Sequence, residues 1–158
     1  MYILLYMIDI FTDGSTLFNQ IPEKRKGGIG VFFGENDNRN ISEQIMNNVT
    51  NQRMELLACI KGINMCNELD INIYTDSAYV INSITKWIKS WQKSNWKNSK
   101  GQDVKNKDLI VELHNLTQNK NINFIHVRSH QKKPDNELEY KLWYGNKMAD
   151  ELARGCIV

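Results

Sequence analysis

The order of strand-like and helix-like segments constrains this sequence most, because three strand-like runs precede the first helical pattern. Residues 2–12, 28–33 and 40–45 are rich in apolar and β-branched side chains, and turn-forming residues separate them. These runs predict an antiparallel meander at the start of the fold. Helices that come later in the chain must then cover the sheet.

The rest of the chain alternates between helical and strand-like patterns. The predicted helices cover residues 51–67, 78–93, 106–119 and 146–154. The predicted later strands cover residues 71–75 and 122–127. The strand at 71–75 is followed at once by a helix-start signal, the order expected of a strand-helix-strand unit. A mixed sheet covered by helices is the simplest arrangement.

Length and composition place the chain among single-domain globular proteins. With 158 residues it can bury a core, and 41% hydrophobic with 24% charged residues disfavours disorder, collagen-like repeats and coiled coils. No apolar run approaches the roughly 20 residues that cross a bilayer, and residues 1–8 lack the features of a signal peptide. We therefore expect no membrane partner. Three cysteines without a CxxC pair favour a reducing, intracellular compartment.

Four acidic residues attract attention, although each has an ordinary structural explanation on its own. Asp13 ends the first predicted strand in an Asp-Gly pair typical of turns. Asp76 lies between a strand and a helix, where Asp is a good N-cap. Glu55 is expected in the first turn of a helix, where the helix dipole favours a negative charge. Asp150, inside the last helix, suggests a solvated surface position.

Taken together, the four carboxylates predict a metal site. Neighbouring strand ends would bring Asp13 and Asp76 close together, and the helix-borne Glu55 and Asp150 could approach them. Clustered carboxylates repel unless protons or divalent cations neutralise them, and oxygen ligands select hard ions such as Mg²⁺ or Mn²⁺. Two such ions about 3.5 to 4 Å apart can activate water and stabilise the departing oxygen of a phosphodiester. The substrate would be polyanionic.

Residues 86–107 form a basic and aromatic segment. Seven lysines stand there against only Asp103, together with three of the four tryptophans. Trp87 and Trp91 are four residues apart and share a helix face, which a packed core stripe would also show. The lysines favour phosphate neutralisation with ring contacts to nucleic acid.

The sequence around these positions resembles type 1 ribonucleases H over nearly its whole length. The motifs IFTDGS, TNQRMELLA, IYTDS and GNKMADELA contain the four carboxylates in family order, and WIKSWQKSNWK followed by VKNKDL resembles the family's basic protrusion and next helix. The resemblance implies an α/β ribonuclease H-like fold with a five-stranded mixed sheet, three antiparallel strands followed by two parallel, flanked by helices. Residues 1–158 would form one catalytic domain.

The resemblance also implies an activity and roles for the acidic residues. The activity is hydrolysis of the RNA strand of an RNA/DNA hybrid, which leaves 5′-phosphate and 3′-hydroxyl ends and uses two Mg²⁺ ions, with Mn²⁺ as a possible substitute. Asp13 would bridge both ions. Asp150 would help to hold the ion that activates water, and Glu55 and Asp76 would hold the ion at the leaving group.

Substrate contacts are implied in the same way. Positions that contact RNA 2′-hydroxyls and base edges match Asn19, Asn51 and Gln52, and a 2′-hydroxyl is what distinguishes RNA from DNA. The channel for the DNA strand matches Trp87, Trp91 and Ser99. The pocket that grips a DNA phosphate matches Thr50 and Asn106.

The sequence departs from the family pattern near its end. His130 matches the family's mobile histidine, which assists proton transfer or product release, whereas His126 is expected to be structural. Ser129 replaces the usual glycine, and 20 residues instead of about ten separate His130 from the last aspartate. The insertion, roughly residues 132–143, either lengthens the loop or extends the helix. Asn48 stands where the family often has arginine, which predicts a weaker grip on DNA.

Two other functions remain open at this point. A nucleic-acid-binding module on the same fold would bind hybrids without cutting them, although all four carboxylates are present. A different nuclease or strand-transfer enzyme of the wider superfamily would cut an all-DNA duplex, whereas the Asn51–Gln52 pair favours an enzyme that reads RNA. We expect a monomer.

Overall fold

The computed structural model describes residues 7–18 and 20–158 of the chain. Within them, one mixed sheet contains the strands β1 (Ile8–Leu17), β2 (Lys26–Phe32), β3 (Ile41–Ile45), β4 (Asp70–Thr75) and β5 (Asn121–His126). Its order is β3-β2-β1-β4-β5. The first three strands pair antiparallel, and β4 and β5 extend the sheet in parallel from β1. The predicted fold class is confirmed.

Helices cover both faces of this sheet. Those in the described residues are α1 (Asn51–Asn64), α2 (Ala78–Asn82), α3 (Ile88–Lys93), α4 (Lys107–Gln118) and α5 (Glu137–Gly155). The chain runs from α2 to α3 through a wider π-helical turn at Ser83–Trp87, and a short 3-10 turn occupies Pro22–Lys24. In the part of the chain described here, no helix is both long and apolar enough to cross a membrane.

Strand β2 shows how helices pack on opposite faces of the sheet, because its side chains alternate between the faces. A Cβ atom added to Gly28 or Gly30 would lie 1.9 Å and 2.1 Å from the carbonyl oxygens of Ala153 and Ala149, respectively, in α5. Ile29 between them is fully buried on the α1 side. The backbone of α5 therefore rests directly on β2.

The main core fills the space between the sheet and the helices on the α1 side. It contains side chains from strands, from α1 and from α4, including Ile10, Val31, Ile71, Ile73, Leu56, Ile60, Ile63, Ile110 and Leu113. A smaller cluster around Phe11, Phe32 and Ala149 lies under α5. Both helix layers are thereby fixed to the same strands, which gives the strand ends a rigid support.

Strand β1 is longer than predicted at its carboxyl end. The Asp-Gly pair at Asp13 does not form a turn, because residues 13–17 continue the antiparallel ladder, with Asp13 opposite Gly30 and Leu17 opposite Lys26. Cross-strand pairing outweighs the local turn preference. The predicted strand residues 2–6 lie outside the described residues.

The insertion before the last aspartate extends the helix. Helix α5 begins at Glu137, nine residues before the predicted start at 146. Asn136 caps it, since the side-chain oxygen accepts hydrogen bonds from the backbone N–H groups of Leu138 and Glu139 at 3.0 Å and 3.2 Å. The loop between β5 and α5 is consequently confined to residues 127–136.

Candidate active site

Strands β1 and β4 bring two aspartates side by side. Phe11 and Tyr74 are the last paired residues of their parallel ladder, and Asp13 and Asp76 each lie two residues further along. Asp76 is not the N-cap of α2, because the Ser77 side chain accepts the capping hydrogen bond from Val80 N at 3.2 Å. The carboxylate of Asp76 is therefore available for another role.

Helix α1 supplies the third carboxylate. A Cβ atom at Gly14 would lie 2.6 Å from the backbone nitrogen of Glu55, so the helix approaches β1 very closely here. Glu55 is the fifth residue of α1, and the expected first-turn position is wrong. Its buried Oε2 lacks a hydrogen-bond partner among the described residues. Oxygens of Asp13, Glu55 and Asp76 all lie within 4.8 Å of one another.

Helix α5 supplies the fourth carboxylate. Asp150 interacts with the carboxyl groups of both Asp13 and Asp76. Its Oδ2 also accepts from the Arg154 guanidinium, with nitrogen–oxygen distances of 3.0 Å and 2.7 Å. The side chain is 24% exposed, so a freely solvated surface position is not what the structure shows. All four predicted carboxylates converge on one site.

Burial and mutual repulsion make these carboxyls hard to ionise. Burial, followed by the charge of Asp76, raises the pKa of Asp13 to about 8. Burial and the charge of Asp13 raise the pKa of Glu55 well above its ordinary value. Burial and Asp150 raise the pKa of Asp76, while His130 and His126 lower it. At neutral pH the cluster requires protons or cations to neutralise it.

The donor set fits a hard divalent cation. All the converging ligand atoms are carboxylate oxygens, the type that Mg²⁺ and Mn²⁺ prefer. The buried Oε2 of Glu55 has no partner within the described residues, which is unusual for a polar atom unless an ion or water completes it. A cation between Asp13 and Glu55 would satisfy this oxygen and offset the repulsion.

Two histidines flank the cluster on the β5 side. His130 is exposed in the loop after β5, and His126 is the exposed last residue of β5, where it pairs with Thr75. Burial is the main cause of the raised pKa of Asp76. Both histidines are close enough to Asp76 for their charges to oppose that rise. His126 was expected to be structural, but its position beside the cluster resembles that of His130.

The start of α1 holds Thr50, which is predicted to contact a DNA phosphate, and Asn51 and Gln52, which are predicted to contact RNA. Thr50 caps the helix, with its hydroxyl oxygen accepting a hydrogen bond from Arg53 N at 3.1 Å. The hydroxyl of Thr16 in β1 donates to the side-chain oxygen of Asn51. Asn19 lies outside the described residues. These contacts fix the helix start next to the strand that carries Asp13.

Thr50, one of the two residues predicted to grip a DNA phosphate, lines a cavity of about 540 Å³, whereas Asn106 is not among its lining residues. Its lining residues are Pro22, Arg25, Met46, Asn48, Val49, Thr50, Arg53 and Asp108. Arg53 binds Asp108 through two nitrogens at 2.9 Å and 2.8 Å and contacts Asn106 Oδ1 at 3.4 Å. Sequence reasoning considered only Asn48 as the replacement for an arginine. It missed Arg25 and Arg53, although Arg53 directly follows the TNQ motif.

Asn106 connects this pocket to the predicted RNA-reading residues. Its side-chain amide donates to the Tyr79 hydroxyl at 2.9 Å and to Gln52 Oε1 at 3.4 Å. Its backbone lies in the left-handed region at φ 65°, where asparagine is more tolerated than most residues. The structure therefore places Gln52, which is predicted to contact RNA, next to Asn106, which is predicted to contact a DNA phosphate.

The tryptophans of the basic segment divide between core and surface. Trp91 and Trp96 pack against the main core, whereas Trp87 is 41% exposed. Ring centroids lie 5.9 Å apart between Trp87 and Trp91 and again between Trp91 and Trp96. Trp91 also lines a cleft of about 320 Å³ together with Gln52. Ser99 is exposed in the turn at the tip of the segment.

The fold and the four carboxylates define the class of ribonuclease H-like nucleases. The RNase H family model matches residues 7–157, and the chain belongs to the RNase H family as a type 1 ribonuclease H. Ribonuclease HI of Haemophilus ducreyi is 41% identical over 148 residues, which cover 93% of this chain and 88% of that protein. Human Ribonuclease H1 is 36% identical over 148 residues, 92% of this chain but 48% of that protein.

Solved structures show the same fold. One is LC9-RNase H1, a type 1 RNase H with the type 2 active-site motif, which superposes with a TM-score of 0.65 at 23% sequence identity. The superposition covers 98% of this chain and 75% of the LC9-RNase H1 chain. The foamy viral protease-reverse transcriptase in complex with an RNA/DNA hybrid gives a TM-score of 0.69 at 21% identity over 99% of this chain and 20% of that one.

Proposed function

We propose that this ribonuclease H cuts the RNA strand of RNA/DNA hybrids by two-metal-ion hydrolysis and leaves 5′-phosphate and 3′-hydroxyl ends. The convergence of four carboxylates from β1, α1, the end of β4 and α5 is the observation that carries the proposal. Three of them offer oxygens within 4.8 Å of one another. Residues 1–158 act as a single catalytic domain in this proposal.

The resemblance to type 1 ribonucleases H assigns a role to each carboxylate. Asp13, which interacts with the other three carboxyls, would be a ligand of both ions. Asp150 would help to hold the ion that activates water, and Glu55 and Asp76 would hold the ion at the leaving group. A pair of Mg²⁺ ions, or Mn²⁺ in their place, supplies water activation and charge stabilisation.

His130 assists the reaction from the solvent side of the cluster. Its exposed imidazole lies close enough to Asp76 to influence the charge of that residue. An imidazole in this position is suited to transfer a proton to or from groups at the scissile phosphate. The position also suits a role in product release.

Substrate recognition uses the surface around the starts of α1 and α4. Asn19, Asn51 and Gln52 contact the RNA strand through 2′-hydroxyls and base edges. Thr50 and Asn106 hold a DNA phosphate. Arg25 and Arg53 line the cavity beside Thr50, where Arg53 is already paired with Asp108. Trp87, Trp91 and Ser99 follow the DNA strand along the basic segment.

The test is cleavage of an end-labelled RNA/DNA hybrid by the wild type and by Asp76→Asn. The substitution removes one metal-ligand charge and should reduce the cleavage rate by about 10³-fold or more, with unchanged circular dichroism. Glu112→Gln, an exposed carboxylate on α4, is the matched control and should cleave normally.

The same assay separates the alternatives. Cleavage that persists in Asp76→Asn or in EDTA would contradict the proposal. Hybrid binding without cleavage at any Mg²⁺ or Mn²⁺ concentration would indicate a binding module. Efficient cutting of an all-DNA duplex of the same sequence would indicate a different nuclease of the superfamily.

A further inference from the structure

A second cleft is lined by the loop that carries His130 and by the start of α5. It has a volume of about 580 Å³ and lies between the loop 127–136 and the first turns of α5. Arg128, Lys132 and Lys133 line it, as do the acidic Asp135 and Glu139. The extension of α5 forms one of its walls, so the cleft exists because of the insertion.

The cations of this cleft differ from their basic neighbours on α5. Within the described residues, Arg128, Lys132 and Lys133 have no carboxylate within 4 Å, even though Asp135 and Glu139 line the same cleft. By contrast, Lys141 and Lys147 nearby on α5 are each paired with an acidic side chain. Unpaired lysines are otherwise concentrated in the basic segment, which the proposed function assigns to DNA.

The α5 extension also holds the loop in position. The indole Nε1–H of Trp143 donates to the backbone oxygen of Gln131 at 2.9 Å. The ammonium of Lys133 lies 5.6 Å from the centroid of the Tyr140 ring, a cation–π distance that restrains the lysine while leaving its charge in solvent. The cations are therefore presented from a supported loop.

We propose that this cleft binds a backbone phosphate of the RNA strand beyond the cleaved bond. The proposal rests on the proposed function, because the strand that enters the carboxylate cluster is the RNA strand. His126 lines the cleft and pairs across the sheet with Thr75, the residue before Asp76, so the cleft lies beside the strand end that carries this carboxylate. The residues assigned to the DNA strand lie at the starts of α1 and α4, in the π-helical turn, on α3 and in the loop after it. The cleft instead lies against α5, which packs on the opposite face of the sheet from α1. Unpaired cations next to the cut strand are suited to its phosphates.

The experiment measures hybrid binding by Lys132→Ala/Lys133→Ala in an Asp76→Asn background that does not cleave. The substrates are duplexes in which a short ribonucleotide tract fixes the register, and the duplex is extended on either the 5′ or the 3′ side of that tract. Lys61→Ala/Lys120→Ala removes the same charge at the other end of the sheet and is the matched control. Thermal unfolding verifies that all variants fold.

The proposal predicts that Lys132→Ala/Lys133→Ala loses about tenfold in affinity at 0.1 M salt for only one of the two extended duplexes. For that duplex, the slope of log affinity against log salt concentration should be smaller by about 1 to 2. Equal losses on both duplexes, or a loss no larger than that of the control, would overturn it. Cleavage of the same duplexes by the protein with an intact Asp76 is scored separately. If this protein cuts the ribonucleotide tract but the lysine pair has no effect, only the cleft assignment fails.

Discussion

At the scale of one residue, Asp13 is a carboxyl that the fold buries next to other acidic groups, where a bound cation would offset their repulsion. The carboxyl is 4% exposed and faces other acidic groups, so burial and Asp76 raise its pKa from 3.8 to about 8. A folded state that binds a proton more tightly than the unfolded state loses stability as pH rises between these values. The metal-free protein should therefore be less stable at pH 8 than at pH 5, and bound cations should remove this penalty.

Asp13→Asn tests this expectation in the metal-free protein. The neutral amide keeps the shape and removes the buried charge, so the free energy of unfolding at pH 8 should rise by about 2 kcal/mol, with a much smaller gain near pH 4. Thermal unfolding in EDTA across this pH range is the measurement. Asp37→Asn, which removes a charge paired with Arg39 on the surface, should give no such gain. Identical pH profiles for wild type and Asp13→Asn would contradict the assignment.

At the scale of elements, the sequence reveals most of the fold because its strands and helices carry strong local patterns. The order of elements and the four carboxylates are readable from turn signals, apolar spacing and motifs. The continuation of β1 past Asp13 could not be predicted from the sequence, because an Asp-Gly pair is also typical of a turn. Only pairing with β2 shows that residues 13–17 remain in the strand. The sequence alone leaves open whether the insertion lengthens the loop or extends α5, since it places Leu138, Tyr140, Leu142 and Trp143 among charged residues.

Close contact between α5 and β2 also could not be predicted from local patterns, although it positions Asp150. Gly30→Ala would place a Cβ atom 2.1 Å from the backbone oxygen of Ala149, and neither backbone can yield without moving the helix. We expect a loss of stability of about 1 to 3 kcal/mol and a larger fractional loss of hybrid cleavage, because Asp150 moves with α5.

Chemical denaturation and cleavage rates measured on the same preparation test this expectation. Gly155→Ala is the control, since a Cβ atom there meets open space and should leave both quantities unchanged. A Gly30→Ala protein with wild-type stability and activity would show that α5 does not depend on this contact.

At the scale of the whole molecule, charge is distributed unevenly. The net charge is only +2, yet residues 86–107 hold seven lysines against one aspartate. Lys97 bonds to Asp103, whereas the other lysines of this segment have no carboxylate partner within the described residues. The composition predicts the basic segment correctly, but only the structure shows that Trp91 and Trp96 anchor it to the core.

Lys93→Ala/Lys100→Ala should therefore weaken hybrid binding mainly through electrostatics. Loss of two phosphate contacts predicts a decrease of about 1 to 2 in the slope of log affinity against log salt. Metal binding, measured by calorimetry without nucleic acid, should not change because these lysines lie outside the carboxylate cluster. An unaltered salt slope would assign both lysines to a solvated surface without a role in binding.

The most direct test is a crystal structure of the wild-type protein with Mn²⁺ and an RNA/DNA hybrid. The hybrid carries a non-hydrolysable linkage at the cleavage position, so all four carboxylates can be retained. Anomalous scattering locates the ions without reference to activity. The account predicts two peaks about 3.5 to 4 Å apart, both contacting Asp13 and lying at the RNA strand. Peaks elsewhere, or an empty carboxylate cluster with the hybrid bound, would contradict it.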